Sequence, residues 1–75
     1  MSDPFDMVRR ELARAQTKFP PFKSPHEGYA VILEEVDELW DAVKCNNRSG
    51  ARSEAVQVAA MALRFLFDIE ESPNA

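Results

Sequence analysis

Glu34, Glu35 and Glu38 fall in one segment of the chain, and Glu54 falls in the next. Glu35 and Glu38 are three positions apart, one turn of a helix, so both carboxylates can share one face. Hard carboxylate oxygens at such spacing suit a divalent cation, Mg²⁺ first and Mn²⁺ as a substitute. Converging carboxylates repel one another, and a bound cation relieves that repulsion. Glu-x-x-Glu also occurs on ordinary exposed helices, where it is simply a solvated acidic face.

Three helices must position these groups. Asp3-Pro4, followed by Asp6, has the form of a helix start, with Asp as N-cap and Pro at the first helical position. Phe5, Val8, Leu12, Ala15 and Phe19 recur at steps of three and four, which predicts a helix over 4–18 ended by Pro20-Pro21. Ser24-Pro25-His26-Glu27 combines a cap, a first-turn proline and a capping-box glutamate. Helix two should run from there to about 44–46, with Asn46-Asn47 as the stop. Ser49-Gly50 reads as a connection, and helix three is expected over about 51–70, before Ser72-Pro73. Period-two strand patterns are absent, so the expected fold is all-α, a three-helix protomer in a single domain over 1–75.

The polar residues lie on narrow stripes. On helix two, Tyr29, Ile32, Leu33, Val36, Leu39, Trp40 and Val43 make a broad apolar face. Glu35 and Glu38 are bracketed by Val31 and Ala42, which implies that this stripe meets another helix. Helix three is apolar almost all round from Ala55 to Phe67, interrupted only by Gln57 and Arg64. Glu54, Gln57, Met61, Arg64 and Asp68 form its one polar stripe. A helix apolar on every other side must be surrounded. Two partner helices cannot do this, so helix three is expected at the centre of an oligomeric helical bundle. Burying Glu54 there costs several kcal/mol unless it is paired or coordinated.

Composition narrows the classes further. Seventy-five residues allow one domain, and so short a chain buries only about 60% of the surface its unfolded form exposes. Small folds are usually reinforced by disulfides, a metal or a partner subunit. The single cysteine, Cys45, cannot form an internal disulfide. A net charge of −4 argues against binding to nucleic-acid backbones. No apolar run approaches the roughly 20 residues of a membrane span, and no secretory signal is visible. These features fit a cytoplasmic, self-associating domain. Charge is segregated: Met7 to His26 holds five bases and one acid, while Glu27 to Asp41 holds six acids and no base. The plain reading of that division is two solvated faces that attract each other.

The run Leu33-Glu34-Glu35-Val36-Asp37-Glu38-Leu39-Trp40 resembles the EExxE segment of the MazG-like all-α nucleoside triphosphate pyrophosphohydrolases. That family follows EExxE with ExxD, and Glu54-Ala55-Val56-Gln57 stands in the second place. The resemblance covers helices two and three, over half the chain; Met1 to Lys23 carries no diagnostic motif. It implies Mg²⁺-dependent hydrolysis of a nucleoside triphosphate to monophosphate and pyrophosphate, by a dimer or tetramer of helical bundles. It further implies that Glu35, Glu38 and Glu54 are metal ligands and that Glu34 activates or orients the attacking water. Gln57 departs from the pattern: an amide still offers Mg²⁺ an oxygen but no charge. Asp68 is about 16 Å further along the helix, too far to replace it.

Other residues have two readings each. Arg10, Arg14 and Lys18, at steps of four on helix one, either meet a polyphosphate or remain solvated; Arg14 and Lys18 are the candidate substrate contacts. Arg64 pairs with Asp68 at i+4 or binds a phosphate. His26 stacks on a base or only occupies a helix start, and Trp40 belongs to the core or a subunit interface. The rival to the enzyme is a non-catalytic helical oligomerisation or regulatory module that retains the fold, and Gln57 favours it.

Overall fold

The computed structural model describes residues 3–71, with helices α1 Pro4–Lys18, α2 Pro25–Lys44 and α3 Arg48–Asp68. No strand occurs among the described residues, and no described helix is long and apolar enough to cross a membrane. Ser72 and Pro73, read above as the stop after helix three, lie outside the described residues.

Local chemistry explains most of the boundaries. The Asp3 carboxylate accepts from the Asp6 backbone N–H at 2.9 Å, and Pro4 opens α1. The Ser24 hydroxyl accepts from the Glu27 N–H at 3.1 Å. Glu27 reaches back to the Lys23 N–H at 2.8 Å, one residue before the cap itself. Asn46 takes a left-handed backbone, φ 57°, and turns the chain sharply after α2.

Helix α3 begins at Arg48, three residues before the expected start, so Ser49-Gly50 belongs to its first turn rather than to a connection. The reason is a cap hidden in the expected stop signal. Asn47 accepts from the Gly50 N–H at 2.9 Å, so one asparagine of the pair ends α2 and the next starts α3. A Cβ at residue 50 would stand 2.4 Å from the Asn47 amide, and glycine keeps that space open. At the other end α3 stops at Asp68, capped by Ile69, so the expected extension to residue 70 does not form.

The tight turn at residues 45–47 folds α3 back along α2, and α1 packs on the same α3. The backbones of α1 and α2 make no close approach to each other, which leaves α3 central. A small core of Leu12, Ala15, Phe22, Ala60 and Met61 lies against it. Ala60 is fully enclosed. The expected envelope around the rest of α3 is missing in a single chain: Leu66 and Phe67 stay 73% and 68% exposed. On α2 only Ile32 and Leu39 of the broad apolar face are half-buried, and Trp40 remains 58% exposed.

The link between α1 and α2 is pinned to α3 by charge. Arg64, buried at 6% exposure, donates to the Pro20 carbonyl at 2.8 Å and stacks over the Phe22 ring at 4.0 Å. Asp68 lies 3.7 Å from that guanidinium and accepts the Phe22 N–H at 2.9 Å.

Phe22 and Phe65 also close over Gly28 on α2. A Cβ there would sit 2.5 Å from Phe65 Cδ2 and 3.2 Å from Phe22 Cδ2. Gly28→Ala must therefore displace a packed ring and should destabilise the fold by about 1–3 kcal/mol. Urea unfolding followed by circular dichroism measures this; an unchanged or raised midpoint would show that the ring moves freely.

Candidate metal centre

The α2–α3 hairpin sets which side chains meet. Glu35 and Glu38 lie one turn apart on α2, and the hairpin brings Glu54 of α3 to them. One carboxylate oxygen from each of Glu35, Glu38 and Glu54 lies within 4.8 Å of the other two. Glu35 and Glu54 are half-buried, and Glu38 is exposed. The three expected ligands are thus brought together from two helices.

This cluster is electrostatically incomplete. Glu54 Oε2 is buried and has no hydrogen-bond partner. Such an atom gives up its hydration without replacement, which is costly for a carboxylate. Burial, followed by the neighbouring carboxylates of Glu38 and Glu54, pushes the Glu35 pKa up to about 7. A protonated Glu35 can donate to its neighbours and relieve the crowding. A divalent cation would do so with all three groups ionised, and the all-oxygen donor set fits Mg²⁺ or Mn²⁺.

A pocket of about 460 Å³ adjoins the cluster, with Arg14, Lys18, Phe19, Glu34, Glu35 and Gln57 on its wall. Glu34 is exposed and stands outside the three-carboxylate cluster. Lys18, the last residue of α1, holds its ammonium 5.3 Å from the Phe19 ring centre. Arg64 also reaches this wall, but it has Asp68, the Pro20 carbonyl and two phenylalanine rings as partners. Of the two readings for Arg64, the Asp68 pair is the one formed in the structure.

Glu11 is the residue that sequence reasoning passed over. It accepts from two Arg14 nitrogens, Nε at 3.0 Å and Nη2 at 2.7 Å, and shares a pocket wall with Gln57. The Arg14 bond holds its carboxyl below the usual range, against the opposing effect of burial and with help from Gln57. Its signal in the chain was its isolation as the single acid among five bases.

No family model matches the chain, and no curated protein or solved structure resembles it at a significant level.

The raised Glu35 pKa carries a pH dependence of definite sign. An unfolded Glu35 releases its proton near the usual 4.5, whereas the folded one holds it to about 7. Between those values the folded state binds more protons, so its stability falls as pH rises through that window. Thermal melts of metal-free protein should show this decline, Glu35→Gln should flatten it, and Mn²⁺ should offset it above pH 7. A wild-type profile as flat as that of Glu35→Gln would show that the carboxylates do not share a site.

Proposed function

We propose that the chain is a Mg²⁺-dependent nucleoside triphosphate pyrophosphohydrolase of the MazG-like kind. The observation that carries this reading is the Glu35, Glu38 and Glu54 cluster, with an orphaned buried oxygen, beside a pocket edged by cationic side chains. Glu35, Glu38 and Glu54 are the residues to hold the cation. When bound, it would neutralise phosphate charge and polarise the scissile linkage.

The chain's own groups supply the remaining functions. Glu34, exposed on the pocket wall, accepts a proton from water as the water oxygen bonds to the α-phosphorus. The α–β bridging oxygen then leaves with pyrophosphate, and the nucleoside monophosphate remains. Lys18 faces the polyphosphate. Arg14 contributes less because Glu11 already balances its charge. Gln57, being neutral, limits the negative charge around the cation, so nucleotide and metal should each tighten the binding of the other.

The reading includes self-association as a dimer or tetramer. Tyr29, Leu33, Val36, Trp40 and Val43 form an exposed row at steps of four and three along α2, with Leu66 and Phe67 exposed on α3. Rows of this kind are covered in helical bundles. A second reading, a non-catalytic module with the same fold, draws on the neutral Gln57 and on Arg64, whose guanidinium is engaged within the protein.

Hydrolysis in ¹⁸O-labelled water separates the two readings. The enzyme should release labelled monophosphate and unlabelled pyrophosphate, with no inorganic phosphate as first product. Glu35→Gln and Glu38→Gln should each remove most turnover and keep the helical circular-dichroism signal. Release of phosphate and diphosphate, or no hydrolysis across a panel of canonical and modified triphosphates, would overturn the assignment.

Light scattering at micromolar concentration tests the bundle independently. A dimer or larger species is expected, and Trp40→Glu should shift it toward monomer. A stable wild-type monomer would remove the self-association.

A further inference from the structure

We infer that the α2–α3 hairpin binds a second copy of this chain with α2 of each copy seated on α3 of the other, both connecting turns lying at one end. The inference rests on the self-association read above and adds which surface meets which.

Helical spacing and exposure define the face. On α2, Tyr29, Leu33, Val36, Trp40 and Val43 advance by steps of four and three, and every member is exposed. On α3, Ala51, Ala55, Ala59, Ala62 and Leu66 also advance by fours and threes, with Ala55, Ala62 and Leu66 exposed. A groove of about 700 Å³ joins the two rows, lined by Tyr29 and Ile32 from α2 and by Ala62, Phe65 and Leu66 from α3. It shares no lining residue with the pocket beside the carboxylates, so covering it leaves that pocket open. Neither row contains a charged residue. Steps of three and four held over several turns form the seam of paired helices, which makes the occupant helical.

Size and charge then select the partner and its direction. The α2 row is built of large side chains and the α3 row mostly of alanine, so each offers what the other lacks for close packing. A second copy presents both at once. Two face-to-face pairings have the two-fold symmetry of a homodimer. With the turns at opposite ends, α2 meets the partner's α2, large row on large row. That also sets the segment Glu27 to Asp41, six acids and no base, against itself. With the turns at one end, α2 meets the partner's α3, large row on small. The exposed Asp37 and Asp41 in the second half of α2 then run beside the exposed Arg48 and Arg52 at the start of that α3. Neither arginine has an ion-pair partner in its own chain among the described residues. Both criteria favour the second pairing.

The single cysteine, Cys45, is exposed in the turn between the two helices and reports where the turns lie. Cys45 of the otherwise native protein is labelled with a nitroxide, and the distance between labels is read by pulsed dipolar spectroscopy. Turns at opposite ends are held apart by the length of α2, whose 20 residues span roughly 30 Å. The shortest distance between labels should therefore be centred below about 30 Å; a longer one would overturn the arrangement. Ala55→Arg puts a charge into the alanine row without loss of helix propensity. It should weaken dimerisation roughly tenfold or more in sedimentation equilibrium and keep the helical circular-dichroism signal. Undiminished association would equally overturn the proposal. If Ala55→Arg loses helicity, Ala62→Arg takes its place. A wild-type monomer would remove the self-association as well, whereas a dimer with distant turns would remove only this arrangement.

Discussion

Three carboxylates from two helices crowd within 4.8 Å of one another, and one of their oxygens is buried without a partner. Like charges in a partly dehydrated setting cannot all stay ionised unless something positive joins them. Burial, with the Glu38 and Glu54 carboxylates beside it, pushes the Glu35 pKa up to about 7, so a proton on Glu35 can ease the crowding near neutral pH. The need for a counter-charge unites the features of the site: oxygen donors, an adjoining pocket, and cationic groups at its edge.

Elsewhere the same molecule balances its charges internally, and the contrast is informative. Arg64 is buried among aromatic rings, yet it has a carbonyl at 2.8 Å and a carboxylate nearby. Asp68 in turn accepts a backbone N–H from Phe22. This pair ties the Phe19–Ser24 connection to α3 and so helps to set where α1 lies. Glu11 and Arg14 form a second balanced pair on α1. Between α2 and α3, by contrast, Glu54 meets the two glutamates of α2.

The apolar surface is equally uneven. The described core consists of only a few residues around Ala60 and Met61, while a row of large side chains along α2 faces outward. A domain this small gains little from its own interior. Covering that row would add buried apolar area to the helices that carry the carboxylates, linking association to the rigidity of the site.

Much was legible in the chain because it depended on neighbours in sequence. Asp3-Pro4 and Ser24-Pro25 mark helix starts through caps that act within one turn, and the starts of α1 and α2 follow them. Glu35 and Glu38 share a face because they are three residues apart on one helix. Asn47 showed the limit of that local reading, since a stop signal for one helix also caps the next. What only the tertiary structure decided was contact between helices. The three-residue turn brings Glu54 to Glu35 and Glu38, whereas the packing of α1 on α3 puts Glu11 and Gln57 on one pocket wall. Arg64 likewise follows Asp68 and Pro20, although its position on the polar stripe was equally compatible with a phosphate. Helical periodicity assigns a residue to a face, but partners across a face depend on register and on which helix arrives there, and those are set by packing of the whole chain.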